Sequence, residues 1–215
     1  ANADLLSLIP NDAAHIVDVG CMHGALAREC RARNPHLKVT GIDIDSSYAK
    51  AASRYCTAAI AANVETMEDE QFKGLFPSDC WVFGDCLEHL NNPWQVLERV
   101  RANIEPNGSL VACIPNAQHW SVQWRLLSGN FRYEDSGLLD RTHIRWFTRV
   151  TMLEMFAATG WQVDQGLSRK LDLPQQPQYL DAVRAFADAC GLDAELAAQD
   201  ASAFQYLFRL TPPVQ

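Results

Sequence analysis

The sequence predicts an α/β fold, a doubly wound and mostly parallel sheet of seven strands with helices on both faces. Three observations predict it. In the stretch from His15 to Ala27, a short β-branched run ends in Asp18, turns through Gly20 and Gly24, and opens into a helix pattern reaching Pro35. A second strand, Val39-Thr40-Gly41-Ile42-Asp43, also ends in a carboxylate. Strand and helix patterns then keep alternating, the signature of βαβ units.

Each element has its own signal. Asp4–Ile9 reads as a short helix stopped by Pro10. The first strand is His15–Val19, and the helix Ala25–Arg33 is closed by Asn34-Pro35. Lys38–Asp43 is the second strand, Ser46–Tyr55 the next helix, and Thr57–Ala61 a weaker third strand. Cys80-Trp81-Val82-Phe83 is a compact apolar strand followed by Gly84-Asp85. The helix Trp94–Ile104 carries apolar residues at 94, 97, 100 and 104 and ends in Pro106-Asn107-Gly108. Ser109–Ile114 is the fifth strand. Past Asn116 the alternation breaks, and residues 117–147, rich in aromatic and polar side chains, read as a lid inserted after strand five. Thr148 or Thr151 caps a helix through Ala158, with Gly160 at its end. Trp161–Leu167 and Ala203–Leu210 are the last strands, with a helical segment over Gln178–Ala198 between them.

Bulk properties narrow the function classes. A chain of 215 residues suits one domain over 1–215, lid included. A net charge of −8 leaves no broad positive field for general nucleic-acid binding. Seven cysteines, at 21, 30, 56, 80, 86, 113 and 190, form no C-x-x-C pair and read as small buried hydrophobes in a reducing compartment. There is no signal-peptide pattern and no apolar run of about 18 residues, so a cytoplasmic location without a membrane span is expected. The chain begins at Ala1 rather than a methionine, as expected of a processed or trimmed chain.

The first turn says which ligand. A dinucleotide fingerprint reads G-x-G-x-x-G, whereas here Gly20 and Gly24 are spaced by three residues and Asp18 flanks the turn. A carboxylate is poor company for a pyrophosphate but suits a ligand carrying an ammonium and a sulfonium. Asp43, ending the second strand, is placed to accept both hydroxyls of a ribose.

Asp18, Gly20, Gly24 and Asp43 together resemble the first two motifs of class I S-adenosylmethionine (SAM)-dependent methyltransferases, with Met22 where that family usually has glycine. The resemblance implies SAM as cofactor and S-adenosylhomocysteine (SAH) as product. It implies a cofactor site built from Asp18, Gly20, Cys21, Met22, Gly24, Asp43, Ile44, Asn63, Val64, Asp85 and Cys86. The final strand–helix–strand matches the antiparallel hairpin that closes such sheets. Phe83-Gly84-Asp85-Cys86-Leu87-Glu88-His89-Leu90 resembles the fourth-strand segment of relatives of the ubiquinone-biosynthesis enzymes. Ile114-Pro115-Asn116, with the run from Gly137 to Thr148, is similar to bacterial methyltransferases found with glycosyltransferases. That similarity implies a sugar or glycan-intermediate acceptor and a glycosyltransferase association. A quinone-like or phenolic acceptor is the alternative, and a catalytically silent binding protein a second one, because Met22 enters the turn.

O-methylation of a sugar hydroxyl benefits from a general base. His143, in the lid, is the first candidate, with Asp85 orienting it or holding the SAM amino group; the alternative is a structural lid histidine. His119 is a weaker base or substrate-lining residue. If their segment is helical, spacings of four put Arg141, Arg145 and Arg149 on one face, where they either hold an anionic acceptor or form a solvated face paired with Asp135 and Asp140. Trp120 and Trp146 either stack on a sugar or fill the lid core. A divalent metal is not favoured, but Asp85, Glu88, His89 and His143 resemble the ion-holding E-x-x-E-H and later His of small-RNA 2′-O-methyltransferases. On that alternative the i, i+3, i+4 spacing puts the first three on one helical face.

Overall fold

A computed structural model of the chain describes residues 2–171 and 173–213. Five strands, β1 (His15–Val19), β2 (Lys38–Asp43), β3 (Ala58–Ala61), β4 (Cys80–Gly84) and β5 (Ser109–Pro115), run parallel. The edge is closed by β6 (Gln162–Lys170) and β7 (Ala203–Thr211), with β7 antiparallel to both β5 and β6. The strand order is β3-β2-β1-β4-β5-β7-β6. Winding therefore reverses between β1 and β4, and in open α/β sheets the crevice at such a reversal receives the ligand.

The period-2 alternation of the buried strands divides the core into two layers. Ile16, Val82 and Val111 face α1 (Ala3–Leu8), α2 (Ala25–Arg33) and α3 (Ser46–Ala52). Val17, Trp81 and Phe83 face the other way, onto α4 (Asp69–Lys73), α5 (Pro93–Asn103) and, beyond α6 (Trp120–Leu127), α7 (Arg149–Ala158). Within α5, Pro93 sits in the first turn and Val96, Leu97 and Val100 form the buried stripe. The α7 start is a reciprocal cap, Thr151 N donating to Thr148 Oγ1 and Thr148 N donating to Thr151 Oγ1.

Several boundaries differ from the sequence reading. The helix expected over 178–198 is two, α8 (Gln176–Ala189) and α9 (Ala194–Ser202). The chain breaks at Gly191, whose φ of 71° is left-handed, and restarts where the Asp193 side chain accepts from Leu196 N at 3.0 Å. The α4 helix was not anticipated; five residues are too few to show a period. Strand β6 runs three residues further than its apolar pattern, because every side chain of this edge strand is exposed and none is selected for burial. Six of the seven cysteines are buried, and Cys190 is exposed. Among the described residues no helix is long and apolar enough to cross a membrane.

The segment inserted after β5 is tied at its base. Asn116 and Phe147 bridge, and Ala117 N donates to Phe147 O at 2.8 Å, so residues 117–147 leave the sheet and return to the same point. Asn116, fully buried, donates Nδ2 to Asp200 O and Ala203 O at 2.7 and 2.8 Å.

Gly41, in β2, has no room for a side chain. A Cβ there would lie 2.8 Å from Cys21 Sγ and 2.9 Å from Cys56 Sγ. Gly41→Ala is expected to lower stability by about 1–3 kcal/mol, the usual cost of overpacking. Urea denaturation reads this directly, and an unchanged midpoint would contradict the packing.

Candidate cofactor and acceptor cleft

A cleft of about 980 Å³ opens over the carboxyl ends of β1, β2, β4 and β5. Of the residues expected from sequence, Gly20, Met22, Asp43, Ile44, Asn63, Val64, Asp85, Cys86, His89 and His143 line it. Asp18, Cys21 and Gly24 do not.

The β1–α2 turn is held by Asp43. Its Oδ2 accepts from Met22 N at 2.8 Å and its Oδ1 from Asp45 N at 2.9 Å. Each oxygen keeps a lone pair for a further donor. Met22 is left-handed, with φ 46°, and its side chain is half exposed at the cleft wall. The turn thus takes the glycine-like conformation with methionine in it, the amide pinned by Asp43. Gly24, also left-handed, lets α2 close against α3; a Cβ would stand 3.1 Å from the Ala52 backbone.

Asp18 corrects an expectation. The resemblance puts it in the cofactor site, yet strand alternation turns it with Ile16 to the α2 side, away from Val17 and Val19, and it does not line the cleft. Only 4% of it is exposed. Burial, and then the negative charge of Asp43, push its carboxyl up to about 7. Asn63 lines the cleft, and its Oδ1 accepts from Glu65 N at 2.9 Å in an Asx turn.

At the far end stand Asp85, Glu88, His89 and His143. Asp85 does not orient His143. Its φ is 54°, and its carboxylate accepts from Gln205 Nε2 and from Cys113 Sγ. Being left-handed, it also cannot share a helical face with Glu88 and His89, which sit in a 3₁₀ turn over Leu87–His89. Burial raises the Asp85 pKa. The His143 ring is tied through Nδ1 to Leu138 O at 3.1 Å, and its Nε2 lies 3.9 Å from Glu88 Oε1. Burial lowers the pKa of His143, which favours the neutral ring.

The remaining lid residues expected to meet an acceptor are engaged within the chain. His119 caps α6 and is 1% exposed; burial drives its pKa down to about 4. Trp120 stacks on Tyr179 at 4.5 Å, as core between α6 and α8. Trp146 packs on Phe131 at 5.6 Å and lies outside the main cleft. The arginines share no helical face, because the chain over 141–147 is irregular. Arg141 pairs with Asp135, Arg145 donates to Asn91 O, and Arg149 pairs with Asp200.

Sequence reasoning missed Tyr48, Phe204 and Gln205 in the wall. Gln205 had a readable signal, a lone amide in the apolar run of β7. It relays between Arg169, which donates to its Oε1 at 2.9 Å, and Asp85. The wall contains the carboxylates Asp43, Asp45, Glu65, Asp85, Asp135 and Asp140 and neither lysine nor arginine. Such a cleft favours cationic and neutral ligands over anions.

The raised Asp18 pKa fixes a pH dependence. The folded state prefers the protonated form, so the stability this group allows is full below its ordinary value of 3.8 and is lost as pH rises through about 7. Asp18→Asn, neutral throughout, is expected to raise Tm over the parent more at pH 8 than at pH 5. Equal increments in differential scanning fluorimetry at the two pH values would contradict this.

A methyltransferase-domain family model matches residues 1–165. No curated protein matches the chain at a significant level. Among solved structures, a SAM-dependent methyltransferase from Archaeoglobus fulgidus superposes with TM-score 0.63 at 16% identity, over 94% of this chain and 87% of that one. The O-methyltransferase of a trans-AT polyketide synthase from Brevibacillus brevis, solved with SAH, gives 0.62 at 15%, over 97% and 70%. The mitomycin 7-O-methyltransferase gives 0.62 at 13%, over 97% of this chain but 52% of its own length, so the present chain spans about half of it. At these identities the likeness is one of fold. With the family match covering most of its length, the chain belongs to the methyltransferase-domain family and has the Rossmann-like fold of SAM-dependent methyltransferases.

Proposed function

We propose that the cleft binds SAM and that the chain transfers its methyl group to a hydroxyl oxygen of a small neutral acceptor, a sugar or glycan-intermediate hydroxyl. The observation that carries this reading is the continuity of one cleft from the Asp43-held turn to the His89 and His143 side chains. The turn end offers Asp43 lone pairs to ribose hydroxyls and the exposed side chain of Ile44 to a base. The wall carboxylates favour the sulfonium and ammonium charges of SAM and disfavour a phosphate or uronate on the acceptor. Structural neighbours named as O-methyltransferases support transfer to oxygen. A glycosyltransferase is the partner that an acceptor of this class implies.

Methyl transfer is an in-line displacement, so alignment and exclusion of water supply much of its rate. The carbon–oxygen bond forms as the carbon–sulfur pair stays on sulfur, giving SAH. The hydroxyl proton leaves toward the imidazole cluster. When no ion is bound there, the neutral His143 Nε2 is the acceptor, its ring fixed from the other side by Leu138 O. Asp85, held by Gln205, adds negative charge near the cofactor amino group.

Two measurements test the reading. Calorimetry is expected to show SAM and SAH binding that Asp43→Ala weakens by about 10-fold or more, as loss of charged hydrogen bonds does. No binding by the parent chain at high micromolar cofactor would overturn it. His143→Gln is expected to slow SAH release, with a panel of sugar acceptors, by about 10²–10⁴-fold. A loss under about tenfold would remove the histidine from proton transfer.

A further inference from the structure

Two thiols meet behind the cofactor turn. Cys21 lies within that turn, between Gly20 and Met22, and Cys56 lies between α3 and β3. Both reach Gly41 of β2, where a Cβ would lie 2.8 Å from Cys21 Sγ and 2.9 Å from Cys56 Sγ. Because residue 41 is glycine, it puts no side chain into the space that both sulfurs border. The Cys21 thiol hydrogen-bonds Cys56 there.

Their surroundings give the two sulfurs different roles. The bond from Cys21, helped by Gly41 N–H and the Arg31 guanidinium, holds Cys56 below the ordinary thiol value, against burial and the charge of Asp18. The same bond, and then burial, push the Cys21 thiol up. Arg31 is fixed by Nη1, which donates to Tyr55 O at 2.7 Å, next to Cys56 in the chain. Its buried Nε has no hydrogen-bond partner among the described residues. Cys56 is thus the nucleophile of the pair, and Cys21 the thiol that follows it.

We propose that Cys21 and Cys56 are a dithiol that hydrogen peroxide closes to a disulfide, and that this disulfide lowers cofactor affinity. The Cys56 thiolate attacks one peroxide oxygen, the O–O bond breaks, and Cys56 becomes a sulfenic acid. The departing hydroxide takes up the proton that Cys56 had released. Cys21 sulfur then attacks Cys56 sulfur, and the sulfenic hydroxyl leaves as water with the Cys21 proton. Two thiols lose two electrons, and one peroxide is reduced to two waters. Cys21 and Cys56 are 5% and 6% exposed, which suits an oxidant close to water in size rather than a bulky disulfide. A dithiol reductant reopens the bond by exchange, becoming the disulfide itself.

The effect on affinity rests on the proposed SAM site. A sulfur–sulfur bond of about 2.0 Å draws both side chains into the space beside Gly41. Cys21 is covalently next to Met22, whose amide donates to Asp43 Oδ2 at 2.8 Å. Pulling on the turn therefore disturbs the carboxylate offered to the ribose.

The test uses the full chain with Cys190→Ser, which removes the exposed thiol. After peroxide, mass spectrometry of an unreduced tryptic digest is expected to show the Cys21 and Cys56 peptides linked. Calorimetry is expected to show SAH affinity weakened by about tenfold or more, and restored by dithiothreitol. Cys56→Ser in the same background is expected to bind SAH within about threefold of its parent, before and after peroxide alike. Linked peptides with unchanged SAH affinity, or an equal loss of affinity in Cys56→Ser, would overturn the proposal. If the reduced chain binds SAH and peroxide leaves the two peptides unlinked, the thiol site falls and the methyl-transfer reading stands. If the peptides link and the reduced chain binds neither SAM nor SAH, the disulfide stands and that reading falls, taking the control of affinity with it.

Discussion

The structure is organised around the carboxylate of Asp43. By accepting from Met22 N and Asp45 N, it ties the end of β2 to the turn leaving β1. The reversal of winding lies on the other side of β1, between it and β4, and the crevice exists because helices leave opposite faces of the sheet there. A charge-assisted bond to a left-handed methionine amide replaces the freedom that glycine would supply. The turn keeps its shape with a side chain at its centre. The nearby Asp18 resists ionisation, first because it is buried and then because it feels that same charge.

The other end of the cleft depends on a separate joint. Asn116 leaves β5 and fastens itself to the last turn of α9 through Asp200 O and to the start of β7 through Ala203 O. The pairing of residues 116 and 117 with Phe147 then closes the lid on itself. The Ile114-Pro115-Asn116 motif and the 137–148 run, distant in sequence, are thus two sides of one hinge base. Their chemistry follows from this closure, because it brings His143 over Glu88. Asp200 adds a second fastening, accepting from Arg149 and from Tyr206 Oη.

Much of the fold was legible because its strands are buried on both faces and read as short apolar runs between turn signals. The same logic failed where burial is one-sided or absent, as in β6 and α4. The cofactor half of the cleft was legible through Gly20, Gly24 and Asp43, whose spacing reflects backbone geometry in one local βαβ unit. Asp18 was legible as an unusual residue but not in its direction. Its neighbours on β1 fix the face it takes, and the turn's glycines do not. The lid residues were least legible. Trp120 and the three arginines have the composition of a binding surface, yet Tyr179, Asp135, Asn91 and Asp200 engage them elsewhere.

The sequence alone determined the alternating α/β architecture, the turn at residues 18–24 and the acid at 43, since each is written in local periodicity and backbone requirements. Only the tertiary structure decided that Gln205 reaches Asp85 and that Glu88 meets His89 and His143 without a hydrogen bond of its own. Those contacts join residues far apart in the chain. Their geometry depends on how the lid and the closing hairpin pack on the sheet, which no local pattern encodes.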